Sequence, residues 1–469
     1  MNMPGAFVEA VSRTLRSDLL HLGEPERTDY ASDWTRVHTP NAAGVAFPHT
    51  TDEVAKLLSL CDAHRVCVVP SGGRTGLAGG AVAAQGELVI SMERMRHLGN
   101  VDPVARTLRV QAGAVTQSVH AHCAPFGLTW PVNFASSGSS HIGGNIATNA
   151  GGIRVVRYGP TRAWILGLQV VTMQGHVLEL NGFLEKNNTG FDLRQLFIGS
   201  EGTLGIVTEA TLKLAPIPAA SQVALFAVDD VDAALRLFAA ARRDTHLQLL
   251  AFEYFSSACL DVVLAERNLP APLQKGANAY VLLEIEGSND ASVRRQCEAF
   301  CAESFAADLI RDGVLSQSRK DAAALWQLRE GISESLGRRG LLHKNDVAVP
   351  VANIGAFAHD VEEVFRRDYA PFSVYVFGHL GDGNLHINVL KPPSMAKDAF
   401  LAATRQTDTA LFTLIRKHQG AVSAEHGIGL LKKHALPYTR TAEEIALFRA
   451  IKGAFDPQGL MNPGKLVDP

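Results

Sequence analysis

Two histidines, His379 and His386, flank a glycine-rich turn in the stretch Phe377-Gly378-His379-Leu380-Gly381-Asp382-Gly383-Asn384-Leu385-His386-Ile387-Asn388. Residues 373–379 and 385–390 are short apolar, β-branched runs, and Asp382-Gly383 between them is a strong signal for a two-residue hairpin loop. That loop predicts a register in which Gly381 faces Asn384, Leu380 faces Leu385 and His379 faces His386, with the two histidine Cβ atoms about 5 Å apart. Asn388, two residues past His386, lies on the same face. Two imidazoles so placed can grip one divalent metal ion with bonds of about 2.0–2.1 Å. Alone, the pair reads equally well as two half-exposed strand histidines. A second stretch, Ser423-Ala424-Glu425-His426-Gly427-Ile428-Gly429, puts a carboxylate next to a histidine in a glycine-rich loop. Two histidines and one glutamate are a common set for a catalytic metal with open positions. The expected ligands are therefore His379, His386 and Glu425, with His426 beside the ion as an unligated base.

The elements that must position these groups span 469 residues, enough for two or three domains. A formal net charge of −3 provides no basic field for nucleic acid or an anionic membrane. Six cysteines show no metal or iron–sulfur spacing, and no apolar run is long enough to span a bilayer. With no signal-peptide pattern at the start, the expectation is a soluble, cytoplasmic protein. In the first half, Thr50 and Glu53 read as a helix-starting capping box, and Val66–Val69 reads as a buried strand. That strand runs into Pro70-Ser71-Gly72-Gly73-Arg74-Thr75-Gly76-Leu77-Ala78-Gly79-Gly80, a loop that can bring backbone N–H groups up to phosphate oxygens. It fits neither of the usual dinucleotide or P-loop spacings. A second tract runs through Gly138, Ser139, Ile142, Gly143, Gly144, Thr148, Asn149, Gly151 and Gly152 to Tyr158. A third holds Glu201, Gly205, Ile206 and Val207 and opens an alternating strand. Three such tracts suit a long ligand lying along backbone, such as FAD.

These tracts resemble the FAD domain of the vanillyl-alcohol oxidase / p-cresol methylhydroxylase (PCMH) family, and the resemblance extends from about Gly44 to Leu466. The His379, His386, Glu425 and His426 set narrows it to the branch of FAD-linked D-2-hydroxyacid dehydrogenases. The resemblance implies an α+β fold with a two-part PCMH-type FAD-binding domain over 1–217. A substrate and metal domain follows over 218–469, with an antiparallel sheet covered by helices and its last residues returning to the flavin. It implies that Pro70, Ser71, Gly72, Gly73, Arg74, Thr75, Gly76 and Gly79 hold the pyrophosphate, and that the two later tracts hold the rest of FAD. Asn462, in Phe455-Asp456-Pro457-Gln458-Gly459-Leu460-Met461-Asn462-Pro463-Gly464-Lys465, is expected near the flavin. Some relatives attach FAD through a histidine where Arg74 stands here, so non-covalent FAD is expected.

Beyond Pro216 and Pro218, strands at 223–228 and 280–286 alternate with helices at 231–241 and 292–305. The pattern predicts an antiparallel sheet covered on one face. A single helix over 318–339 would put Arg329 and Ser333 on one face. The resemblance implies that Arg329, Ser333 and Lys344 bind substrate carboxylates, with Asn388 steadying substrate or metal. Arginine suits that task because its planar fork meets a carboxylate bidentately. The expected reaction is oxidation of a D-2-hydroxyacid to its 2-oxoacid, using FAD and a divalent metal, zinc above others. D-2-hydroxyglutarate is favoured; Arg74 departs from the asparagine expected of that subgroup. D-lactate is the runner-up, and D-malate and glycolate stay open. With no NAD fingerprint, the electrons need a partner flavoprotein, quinone or cytochrome, and a homodimer is open. A metal-independent flavin oxidase and an accessory flavin subunit are the other classes.

Overall fold

Thr50 caps the helix Thr51–His64 by accepting from the N–H of Glu53 at 3.2 Å, while Glu53 reaches back to the N–H of His49. The helix turns Val54, Leu57, Leu58 and Cys61 into the core and ends at Arg65 in the left-handed region. Around it the computed structural model, which describes residues 3–273, 276–369 and 372–468, folds into two units. The first comprises Met1–Gly152, Tyr158–Ile217 and Glu425–Pro469; the second comprises Ile153–Arg157 and Pro218–Ala424.

The first unit has two main sheets. In the smaller, the strands Gly44–Ala46 and Val68–Ser71 both pair in parallel with Leu88–Ser91, and Leu20–His21 pairs antiparallel at one edge. Nearly every residue of these three parallel strands is buried, as strands covered on both faces require. The larger is a five-stranded antiparallel sheet. Its centre is Ile206–Lys213, paired with Thr107–Gln111 on one side and Ile165–Val171 on the other. Trp130, Phe7 and Phe197 fill the core of this unit. The segment after Phe455 comes back to the edge of Val68–Ser71. Val68 donates to Leu460 (2.8 Å), and Asn462 donates to Val68 (2.7 Å).

The second unit is built on a seven-stranded antiparallel sheet. Its strands run in the order Asp312–Leu315, Ala220–Val228, Ala279–Gly287, Gln248–Ser256, Ser373–Gly378, Asn384–Leu390, Leu342–Ala348. The sheet is covered on both faces, not one. Phe226 and Phe252 pack on Phe300 and Phe238 of the helices Asp290–Ala306 and Val231–Arg243. Leu225, one residue from Phe226, and Phe255, three from Phe252, join Leu325, Leu328 and Ile332 on the other side. The physical sign is that residues 223–228 and 279–283 within two of these strands are unbroken apolar runs instead of alternating.

Two local expectations need correcting. The stretch 318–339 is two helices, Arg319–Glu330 and Ile332–Arg339, with Gly331 between them, and Arg329 is buried while Ser333 is exposed. The histidine hairpin has a longer turn than two residues. His386 stands opposite Phe377, not His379, because Leu380–Asp382 wind into a 3₁₀ turn that takes His379 out of the ladder. Gly383 closes that turn at φ 90°, where a Cβ would lie 2.2 Å from the Val349 carbonyl.

Candidate active site

Register fixes which side chains share a face of the second sheet. Phe255 opposes Phe377, Phe377 opposes His386, His386 opposes Asp346, and Asn388 opposes Lys344. Glu253, two residues before Phe255, joins them. The 3₁₀ turn brings His379 back toward this face, so the His379 and His386 ring centroids lie 5.5 Å apart and nearly perpendicular. The direct pairing of His379 with His386 predicted from the turn is absent, yet the two imidazoles still meet.

Each ring has a carboxylate beside it, at hydrogen-bond distance for His379 and farther off for His386. Glu253, 1% exposed, lies 2.7 Å from His379 Nδ1, and its other oxygen lies 2.8 Å from Arg329 Nη2. Asp346 lies 3.6 Å from His386 Nδ1 and accepts from Asn384 Nδ2 at 2.9 Å. The carboxylate on His379 Nδ1 fixes that ring's tautomer and orientation, which leaves its Nε2 as the nitrogen to coordinate a metal. Arg329 is buried, with its guanidinium 4.9 Å from the Phe377 ring centroid. Its Nε and Nη2 meet no well-aligned hydrogen-bond partner, although Nη2 pairs with Glu253. Asn388 is buried between Tyr375 and Lys344 in register; Lys344 itself is exposed. Burial raises the Asp382 carboxyl to about 6. Elsewhere on the sheet, Glu286 pairs with Arg157 at 2.6 Å, and Glu284 lies 3.7 Å from Arg154.

Glu253 was not among the expected site residues. Its signal in the sequence is a lone carboxylate inside the apolar run Leu249-Leu250-Ala251-Phe252-Glu253-Tyr254-Phe255, where a charge demands a partner.

Ala424 donates to the Asp346 carbonyl (3.3 Å), so the strand bearing Asp346 holds the residue directly before Glu425. One ligand atom from each of His379, His386 and Glu425 lies within 4.8 Å of the other two, and Asp346, Glu425 and His426 meet the same condition. Glu425 and His426 are half-buried. Two imidazoles and a carboxylate at this spacing suit a divalent cation of zinc type.

The glycine-rich tracts converge within the first unit. A Cβ on Gly73 would lie 2.0 Å from the Ser139 carbonyl, and one on Gly72 would lie 3.5 Å from His141 Cβ. Glu201 donates its N–H to Ala147, and Gly199 donates to Ile146 (2.8 and 3.0 Å). Asn462 Nδ2 donates to Gly80 and Glu201 (3.0 and 2.7 Å). Ser71 Oγ, His141 Nδ1 and Asn462 Oδ1 are buried without a hydrogen-bond partner. Orphaned polar atoms beside glycine backbone that admits no side chain fit a polar, phosphate-bearing cofactor.

Other tract residues are placed as follows. Arg74 lays its guanidinium 4.2 Å from the Tyr30 ring centroid. Gly143 and Gly144 lie in the short helix Ile142–Ala147, which Thr148 ends, and Thr148 Oγ1 donates to Gly144. Asn149 Oδ1 accepts from Arg162, and the Tyr158 carbonyl accepts from Trp164 Nε1. Ile206 and Val207 are buried core residues at the head of their strand. The Glu201 carboxylate accepts from the N–H groups of Ile428 and Gly429.

Comparison with known proteins gives two family matches: an FAD binding domain over residues 42–181, and the C-terminal domain of FAD linked oxidases over 217–466. A D-2-hydroxyglutarate dehydrogenase of Xanthomonas citri pv. viticola is 49% identical over 441 residues, covering 94% of this chain and 92% of that protein. One from Stutzerimonas stutzeri is 42% identical, covering 93% of each. Among solved structures, p-cresol methylhydroxylase with substrate bound superposes with a TM-score of 0.77 at 14% identity, covering 99% of this chain and 96% of that one, a likeness of fold.

Proposed function

The chain belongs to the FAD-linked oxidases and is an FAD-dependent oxidoreductase, and from that premise we propose that it oxidises D-2-hydroxyglutarate to 2-oxoglutarate with the aid of a divalent metal held by His379, His386 and Glu425. The observation that carries this reading is Glu253, one buried carboxylate that grips both His379 and Arg329. It ties a metal ligand to an anion-binding guanidinium. That is the pairing needed by a substrate whose hydroxyl and carboxylate sit on neighbouring atoms.

FAD, when bound, supplies the acceptor for a hydride, and the metal, when bound, lowers the pKa of the substrate hydroxyl. The remaining work falls to the chain. Arg329 binds a substrate carboxylate through its donors, with Lys344 as a second cation for a dicarboxylic acid. Asn388 orients the substrate from the His386 face. His426 takes the hydroxyl proton on a ring nitrogen; an imidazole with an ordinary pKa of about 6.5 is matched to that task near neutral pH. Zinc is favoured by the two imidazoles. The electrons leave to a flavoprotein, quinone or cytochrome. The free state of the six cysteines favours a reducing compartment, and no helix among the described residues is long and apolar enough to cross a membrane.

The test is anaerobic bleaching of the flavin absorbance by D-2-hydroxyglutarate, D-lactate and D-malate, before and after chelation. Rapid bleaching by the first acid, lost with EDTA and restored by zinc, is expected. Bleaching by D-lactate alone would overturn the substrate. Bleaching that survives chelation, with peroxide released in air, would favour the oxidase class. Bleaching by none of the three would favour an accessory flavin subunit.

A further inference from the structure

We propose that Glu201 is a positioning residue for the reaction, a clamp that sets the backbone carrying Glu425 and His426, and not a contact to FAD. The inference rests on the reading of those two residues as metal ligand and base. Glu201 lies in the third glycine-rich tract and is 8% exposed. Its two carboxylate oxygens are divided between consecutive N–H groups, Oε1 accepting from Ile428 at 2.7 Å and Oε2 from Gly429 at 2.6 Å. Bonds from a carboxylate to backbone N–H are charge-assisted and geometrically strict. Burial pushes the carboxyl up on balance, with the two N–H groups and Lys432 offsetting part of that rise.

The surroundings leave this carboxylate one place to go. Glu201 is itself held at φ 54°, with its N–H on Ala147 and its carbonyl accepting from Asn462. Across the contact, Gly427 sits at φ 80°, and a Cβ there would lie 2.9 Å from Glu201 Oε1. Gly429 sits at φ 48°, and a Cβ there would lie 2.1 Å from the Ala78 carbonyl. That carbonyl accepts from both Leu430 and Leu431, at 2.9 and 3.1 Å. The loop is thus pinned by the third tract at 428 and 429 and by the first tract just beyond. Ile428 is two residues from His426, so the pin leaves the imidazole little backbone freedom. Two tracts expected to serve the cofactor alone also set the geometry of the base.

The experiment compares Glu201→Gln with wild type as holoenzyme. The amide keeps one acceptor and turns a donor on the other N–H. The expected result is unchanged FAD stoichiometry, zinc affinity weakened 10–100-fold as for other groups that orient a ligand, and a fall in the rate of flavin reduction with KM within about 2-fold, because the residues assigned to the carboxylates are untouched. The acid limb of the rate-against-pH profile should move, since that limb reports the base. Glu201→Asp, which retains the charge, should recover part of the zinc affinity. Gly427→Ala attacks the same contact from the other side and serves if Glu201→Gln fails to fold. Combined with Glu201→Gln it should add less than the product of the single effects. Loss of FAD with zinc affinity and pH profile unmoved would make Glu201 a flavin contact and overturn the proposal; so would no change in any readout. Zinc titration needs no substrate, so a wrong choice of hydroxyacid leaves this result standing. A wild-type protein that binds no zinc would sink the metal reading, and the pH profile would then decide on His426 alone.

Discussion

Glu253 touches both His379 and Arg329, and its removal should therefore be felt in two assays. Glu253→Gln keeps the shape but gives up the charge that pairs with Arg329 and orients His379. The expected outcome is zinc affinity 10–100-fold weaker by titration, with KM for a hydroxyacid changed because Arg329 has lost its counter-charge. His426→Ala should cost 10²–10⁴-fold in the rate of flavin reduction, the usual worth of a general base; stopped-flow absorbance with FAD and metal content held equal checks it. In the cradle, burial and the neighbouring arginines depress the His141 imidazole to about 4. An unfolded chain protonates this group near 6.5, so between those values the unfolded state binds more protons and stability falls as pH is lowered. Urea midpoints of apoprotein should decline from pH 6.5 to 4, and His141→Gln should shrink that decline by up to about 3 kcal/mol.

Among the elements, the histidine hairpin shows what a sequence can and cannot specify. The two strands and their glycine were legible from the apolar runs and Asp382-Gly383. The register was not, because a 3₁₀ turn and a two-residue turn draw on the same residue types. What decides between them is the Val349 carbonyl, which packs against Gly383 from 34 positions away in the chain. Gly383→Ala should therefore unfold the turn locally, lowering the melting temperature by several degrees and weakening zinc binding while FAD is retained; calorimetry and titration on one sample separate these. Helix 318–339 failed for a related reason. Its apolar spacing is helical throughout, and only the burial of Arg329 against Glu253, contributed by another strand, distinguishes the inward face from the exposed Ser333. Glu201 was legible as a tract residue, but its partners lie 227 and 228 positions on, beyond the reach of any local pattern.

At the scale of the whole molecule, the α+β class and the FAD family were legible because glycine-rich tracts and apolar strands are local signals. The way distant segments tie together was not. Lys452 shows the strength of such ties. It is 3% exposed, donates to the Thr203 and Met461 carbonyls, and pairs with Asp456, which in turn accepts from Leu460 and Met461. Lys452→Met would leave Asp456 buried and unpaired, at a cost of about 3–5 kcal/mol. The expected readouts are a lower urea midpoint and flavin released at lower denaturant than from wild type. The return of the chain to Val68 also fixes an order of events during synthesis. Asn462, which bonds to the Gly80 carbonyl, is polymerised 382 residues after it. A nascent chain on the ribosome holds Val68 and Gly80 without these partners until residues 460–465 have left the exit tunnel. The Gly80 end of this loop is therefore completed only by a segment made long after it.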